Sequence, residues 1–340
     1  MSEDDPLSVA VALTERAGLP PPVGLIRLGG GRNNRAFRVA MGDRPPVALK
    51  LYHADPADRR DRLGAEFAFL RFAWDRGLRC VPAPLACDPA RNAALIGYLP
   101  GVRPTPATLT ARHRDAALDF ILALNIPDAG RSALAPASEA CFSLDEHVAT
   151  VARRVARLDA MAAEQPGSAA AVLVRRRLRP TWEAVQYQLT GRVRAAGFDP
   201  AARLPSGAIC ASPSDFGFHN ALDEEGTVRF LDFEYAGRDD PAKLVCDFFC
   251  QPEVPVPSSW FGDFARRFIA GLGLGPADAA RCAMLRDLYR VKWACILLNE
   301  FLPQGAARRR FATGAGAATS GDVQLARAGV MLDAITLQGD

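Results

Sequence analysis

Asp215, Asn220 and Asp232 are oxygen-bearing side chains spaced so that one short hairpin would gather them. Residues 221–222 and 228–231 read as its strands, and the Asp-Glu-Glu-Gly turn at 223–226 ends on a glycine able to take positive φ. The hairpin brings Asn220 beside Asp232, and Asp215 converges on both from the preceding loop. Hard oxygen ligands of this kind suit Mg²⁺ and phosphate chemistry, with one carboxylate left as a potential base. A second pair lies upstream. Lys50 interrupts the apolar strand 47–52, where an ammonium needs an anionic partner. Glu66 lies beside the stripe Leu63, Phe67, Leu70 and Trp74 of a helix expected from an Asp55-Pro56 cap to about Arg76. That helix can fold back on the sheet so that Glu66 holds Lys50 for a nucleotide phosphate. Between two strands, Gly29-Gly30-Gly31-Arg32-Asn33-Asn34 offers backbone amides that can approach phosphate closely. Each signal has a plainer alternative: a flexible hairpin tip, a surface lysine, a solvated glutamate.

The elements that must position these groups follow in order. Asp5-Pro6 and the apolar run to Ala17, closed by Gly18, predict a first helix with an acidic cap. Strands at 25–28, 36–41 and 47–52 come next, then the helix carrying Glu66, ended by Gly77. Short strands at 83–87 and 93–98 flank a turn, and Leu99-Pro100-Gly101 breaks the pattern. The expected division falls there, with a strand-rich nucleotide-binding lobe over 1–99 and a mainly helical catalytic and substrate lobe over 100–340. Helices are expected at 110–124, 143–161, 169–178, 181–193, 242–250, 259–272, 276–301 and 322–337. A Ser143-x-x-Glu146 capping box opens the second of them, and Arg179-Pro180 predicts a kink or break. The run 305–321, rich in Ala, Gly, Arg, Ser and Thr, reads as a surface loop or lid.

Composition limits the classes of function. A chain of 340 residues that is 49% hydrophobic can bury one large or two ordinary cores, which argues against disorder. The net charge of +3 is slight, and the basic clusters at 175–177 and 308–310 are too small for a nucleic-acid footprint. No run approaches the ~20 apolar residues of a membrane span, and the acidic start MSEDDPLS is unlike a secretory signal, so a cytoplasmic protein without membrane contact is expected. Eight cysteines with no C-x-x-C pair, and four scattered histidines, do not make a zinc pattern. They read as small buried hydrophobes in a reducing compartment.

Glycine loop, strand Lys50, helix Glu66, the segment Ile96-Gly97-Tyr98-Leu99, the D-x-x-x-x-N of Asp215 to Asn220 and the acidic Asp232 follow the kinase motif order. The segments GGGRNNRAFRV, VALKLY, ALIGYLPG, DFGFHN and LDFEYAG resemble the aminoglycoside phosphotransferase family, whose relatives include choline, homoserine and fructosamine kinases, over nearly the whole sequence. The resemblance implies an α+β, two-lobed protein-kinase-like fold, with a small antiparallel-sheet N-lobe carrying one long helix and a larger, mainly helical C-lobe. It implies Asp215 as catalytic base and Asn220 and Asp232 as Mg²⁺ ligands. Lys50, fixed by Glu66, would steady the ATP phosphates, and Gly29, Gly30, Gly31 and Asn34 would cover them. Adenine would bond the hinge backbone at Gly97 and Leu99. The acceptor pocket would draw on Asp215, Glu234, Tyr235 and the face 289–301 with Glu300.

One departure stands out, because Pro213-Ser214-Asp215 occupies the place of the family's His-Gly-Asp. An active kinase and a nucleotide-binding pseudokinase or scaffold both stay open on that account. The activity implied is ATP-dependent transfer of the γ-phosphate to a small-molecule hydroxyl. Residues 292–310 hold Lys292, Arg308, Arg309 and Arg310 against Glu300 alone, which is not the acidic surface a polycationic aminoglycoside prefers. A sugar, amino sugar or amino alcohol is therefore expected as acceptor ahead of an antibiotic. No segment ending in Ala-Pro-Glu follows Asp232, which argues against a protein substrate. The C-terminal helices fit core or interface equally.

Overall fold

The computed structural model describes residues 5–29, 34–53, 58, 60–126, 133–302 and 321–336. Asp5 caps α1 (Pro6–Arg16) by accepting the Ser8 N–H at 3.2 Å, with Pro6 in the first turn. Val9, Ala10 and Leu13 of α1 pack on an antiparallel sheet of β1 (Gly24–Leu28), β2 (Arg35–Met41), β3 (Arg44–Leu51), β4 (Pro84–Asp88) and β5 (Ala93–Gly97). The strand order is β1-β2-β3-β5-β4. Register places Lys50 of β3 opposite Ala36 on one side and Ala94 on the other. Directly opposed residues share a face, so two small neighbours leave room above the sheet for the lysine and whatever it binds.

That space is covered by α2 (Arg62–Asp75). The helix starts at an Asp61 cap, whose carboxylate accepts the Gly64 N–H at 2.8 Å, and not at Asp55-Pro56, which lie outside the described residues. Phe67, Phe69, Leu70, Phe72 and Ala73 are all buried, so the helix is wedged between layers and has no solvent face of the expected width.

The second half is built from α3 (Ala111–Leu124), α4 (Leu144–Glu164), α5 (Ala169–Leu173), α6 (Arg179–Ala195), α7 (Pro241–Cys250), α8 (Phe261–Gly271), α9 (Pro276–Leu298) and α10 (Gly321–Asp333). Helix α9 lies at its centre, packed by α4, α6, α7, α8 and α10. Ser143 caps α4 as expected, but the Glu146 carboxylate reaches the Phe142 N–H (2.6 Å), so the box closes one residue early. Where a kink or break is expected at Arg179-Pro180, one wide π turn, Val174–Leu178, carries α5 on into α6 without a break. Proline brings no N–H to the preceding turn and crowds it, and widening that turn relieves both effects without ending the helix. The expected lid at 305–321 lies outside the described residues except for Gly321.

Two small sheets complete the architecture. β6 (Cys210–Ser212) pairs with β9 (Gly237–Asp239), and β7 (Ala221–Glu224) pairs with β8 (Thr227–Phe230). The β7–β8 turn has Glu225 at φ 48° and Gly226 at φ 95°, the two positive values that suit a two-residue hairpin. Hydrophobic packing forms two clusters. One joins α1 to the sheet, and the other joins α2, Ala94 and Ile96 of β5, and the helices of the second half. No helix among the described residues is long and apolar enough to cross a membrane.

A buried polar cluster around His147 lies among the helices. His147 of α4 has Nδ1 2.7 Å from the Tyr289 hydroxyl and Nε2 3.1 Å from Asp240 Oδ2, and Arg281 donates to the same oxygen at 2.6 Å. Burial alone would lower the His147 pKa, but Asp240, with the Cys141 sulfur, outweighs it and raises it from 6.5 to about 9. A folded pKa above the unfolded one means stability present in full below pH ~6.5 and lost as pH rises through ~9, on the order of 3 kcal/mol. Urea denaturation from pH 6 to 9.5 is expected to show this fall, and His147→Gln to flatten it while lowering stability at pH 6.

Candidate active site

The loop carrying Asp215 is held from both sides. At the end of α3, Asn125 clamps Ala211 of β6, donating to its C=O at 2.9 Å and accepting its N–H at 2.8 Å. Ser214 N–H then donates to Ser212 Oγ at 3.1 Å. Ser214 has φ 66°, a left-handed conformation that costs a non-glycine residue about 1–2 kcal/mol. The Asn125 and Ser212 contacts hold the turn in place despite that strain. Phe216 and Phe218 lie against Phe248, with ring centroids 5.1 and 5.4 Å away, pinning the loop to α7. Asp215 lies between these anchors with its side chain about one-third exposed (32%).

Asp215 Oδ1 lies 3.2 Å from His219 Nε2, and the Asn220 amide donates to the backbone carbonyl of Asp215 at 3.0 Å. Burial would push the Asp215 carboxyl up, but its contact with His219, helped by Lys292 and Asn220, holds it below the usual carboxylate range. Leu231 N–H donates to Asn220 C=O at 3.0 Å, which seats Asp232 next to Asn220. Asp232 takes φ 68° as the backbone leaves β8.

Strand β3, helix α2 and the Asp232 turn meet at one ammonium. Lys50 Nζ is 2.6 Å from Glu66 Oε2 and 2.5 Å from Asp232 Oδ1. Tyr52, two residues on and so on the same strand face, donates its hydroxyl to Glu66 Oε2 at 2.8 Å. Phe233 N–H donates to Glu66 Oε1 at 3.3 Å, and the Phe233 ring stacks on Phe69 of α2 at 4.8 Å. Burial would lower the Lys50 pKa, but Asp232 and Glu66 outweigh it and drive it well above the ordinary value. Glu66 is also raised, by burial and by repulsion from Asp232 against the opposing pull of Lys50.

The remaining expected residues are placed as follows. Asn34 is buried and donates to Glu234 Oε2 at 2.7 Å, so Glu234 is buried against the strand that follows the glycine loop. Tyr235 has the Arg60 and Arg62 guanidinium groups 5.3 and 5.6 Å from its ring centroid. Gly97 ends β5, where a Cβ would meet Ala83 N at 2.9 Å, so two backbones pass too closely for a side chain. Leu99 follows it, partly buried. Gly29 is exposed at the end of β1, and Gly30 and Gly31 lie outside the described residues. Glu300 is in the turn Asn299–Phe301 that ends α9.

Solved structures share this arrangement of elements. The protein superposes on choline kinase from Cryptosporidium parvum Iowa II with TM-score 0.56 and 12% identity, over 96% of either molecule. It matches choline kinase LicA from Streptococcus pneumoniae with TM-score 0.57 and 14% identity, over 95% of this protein and 98% of that one. A thermostable mutant of aminoglycoside phosphotransferase APH(4)-Ia, in complex with AMP-PNP and hygromycin B, gives TM-score 0.53 and 16% identity over 96% and 98%. The protein has the kinase-like fold. No family model matches it, and a search of curated proteins finds no match.

The expected two-lobed α+β architecture is thus the one the sequence adopts. Within this kinase-like fold, no cluster of three or more His, Cys, Asp or Glu side chains among the described residues could cage a metal. Asn220 commits its amide nitrogen to the Asp215 carbonyl, so of its side-chain atoms the oxygen is the one that could meet a cation. Two protein oxygens fit Mg²⁺ that arrives on phosphates, since that ion retains most of its ligands from water and phosphate. Sequence reading passed over Tyr52 and His219, although spacing from Lys50 and Asp215 marked both. Asn125 had no sequence signal, being 86 residues from the strand it clamps.

Proposed function

We propose that the protein is an ATP-dependent small-molecule O-phosphotransferase that moves the γ-phosphate to a hydroxyl of a sugar, amino sugar or amino alcohol. The observation that carries this reading is the convergence of β3, α2 and the Asp232 turn on Lys50, with Asp215 and Asn220 on the adjoining loop. Lys50 is held at full charge, ready to exchange Asp232 for phosphate oxygens. Asn220 and Asp232 would hold Mg²⁺, which neutralises phosphate charge as the bond to the leaving oxygen loosens. Asp215, ionised at neutral pH, accepts the acceptor hydroxyl's hydrogen bond and aims its oxygen. A low carboxylate pKa suits that task, because a loose transition state asks more for alignment than for a strong base.

The surroundings disfavour a polycation as acceptor. Tyr235, one of the residues expected at the acceptor pocket, already has two of the protein's own cations by its ring, the Arg60 and Arg62 guanidinium groups 5.3 and 5.6 Å from the centroid. Burial would raise Glu139, but Arg154, Lys292 and Lys243 hold it down at about 2. A polycation approaching Tyr235 would meet the Arg60 and Arg62 guanidinium groups where it needs a bare ring face.

Purified protein is expected to gain thermal stability with Mg-ATP and to convert ATP to ADP with at least one sugar, amino sugar or amino alcohol. Turnover on aminoglycosides alone would overturn the acceptor assignment. A thermal shift without turnover on any hydroxyl compound would favour a nucleotide-binding scaffold, and no shift at all would remove nucleotide binding.

A further inference from the structure

We propose that His219 is the positioning residue for Asp215, donating from Nε2 to one carboxylate oxygen so that the other is presented to the acceptor hydroxyl. This rests on the phosphotransferase reading above. Three features of the loop Asp215-Phe216-Gly217-Phe218-His219 support it.

The first is distance. The pair is 3.2 Å apart, with the two side chains 14% and 32% exposed, so the contact borders the cleft without being washed by bulk water. The second is the other ring nitrogen. His219 Nδ1 is buried and has no hydrogen-bond partner among the described residues. A proton on Nδ1 would be stranded, whereas a proton on Nε2 has a carboxylate to receive it, so the bond itself selects the Nε2–H tautomer. The third is Gly217. Its φ of 172° is extended backbone open to any residue, yet a Cβ there would lie 2.6 Å from His219 Nδ1 and 3.0 Å from Gln251 Cγ. Space for the imidazole, not backbone conformation, is what requires glycine at this position.

Together these features fold the ring back over its own loop and lock one oxygen of Asp215. A carboxylate free to rotate would share its time between orientations, and misalignment of the attacking oxygen by an ångström can cost about 10²-fold in rate. Two phenylalanines on alternate positions, Phe216 and Phe218, anchor the loop inward and leave Asp215 and His219 on the open side.

The test compares His219→Ala, His219→Gln and Gly217→Ala with the unmodified protein, using the best acceptor from the panel. For His219→Ala, kcat is expected to fall by about 10–100-fold while KM for ATP and the Mg-ATP thermal shift change less than about twofold. Glutamine, which can still donate, should restore part of kcat, and Gly217→Ala should reproduce the kcat loss by pushing the ring aside. A long-range ¹⁵N spectrum of the unmodified protein should report the Nε2–H tautomer whether or not the variants fold. A kcat for His219→Ala within about twofold of the unmodified protein, or an Nδ1–H tautomer, would overturn the proposal while leaving the phosphotransferase reading intact. Absence of turnover in the unmodified protein would instead overturn that reading and take this inference with it.

Discussion

Replacing Asp215 with alanine is expected to lower phosphoryl transfer by roughly 10²–10⁴-fold, the usual contribution of a positioned acid–base group, with the Mg-ATP thermal shift retained. The two readouts separate because the groups that would meet nucleotide, Lys50 and Asp232, are anchored by Glu66, Phe233 and the β8 exit and not by the Asp215 side chain. The loop itself should survive the change, since Asn125 and Ser212 hold it through backbone atoms. Asparagine at 215 should be nearly as inactive, because it keeps the shape but not the charge that receives the hydroxyl proton. Because the carboxyl is held below the ordinary range, activity should show no acid limb from this group between pH 5 and 8. An alanine variant with undiminished transfer would remove Asp215 from the chemistry.

Lys50→Met is expected to be the most destabilising single change at the site. It leaves Glu66, 1% exposed, and Asp232 facing each other without a cation, and breaking a buried ion pair in this way costs about 3–5 kcal/mol. Glu66 then has reason to take up a proton. A carboxyl whose folded pKa lies above its unfolded value stabilises the fold below the unfolded pKa and loses that effect as pH rises through the folded one. The deficit of Lys50→Met should therefore shrink as pH falls toward 4, and the double variant Lys50→Met/Glu66→Gln should be more stable than Lys50→Met alone. Equilibrium denaturation of the four members of this cycle measures the coupling. The same variant should lose the Mg-ATP thermal shift. A loss below about 1 kcal/mol would mean that α2 is held to the sheet by its phenylalanines alone.

Local chemistry was the part of this molecule open to sequence reading. Caps at Asp5, Ser143 and Asp240 announce themselves because a short acceptor side chain before an apolar run has few other uses. The Glu225-Gly226 turn, and a lysine inside an apolar strand, are local conflicts whose resolution is nearly forced. Contacts between distant segments were hidden. Asn34 meets Glu234 across 200 residues, and β6 pairs with β9 over three residues each, too short to show a period. The true start of α2 was obscured because two Asp residues six apart are equally good caps and only packing selects Asp61. Pro180 left kink and break open for a similar reason, since a helix can widen as well as break, and the choice depends on what surrounds it.

The clamp of Asn125 on Ala211 determines when the entropy of the Asp215 loop is lost. Fixing one residue's backbone costs roughly 1–2 kcal/mol, so the five residues from Ala211 to Asp215 represent several kcal/mol of ordering. Asn125, Ser212 and the β6–β9 ladder meet that requirement during folding, before any ligand is present. For the phosphotransferase proposed above, an acceptor would therefore encounter a loop already in its working shape, leaving its binding energy for aligning a hydroxyl with a phosphate.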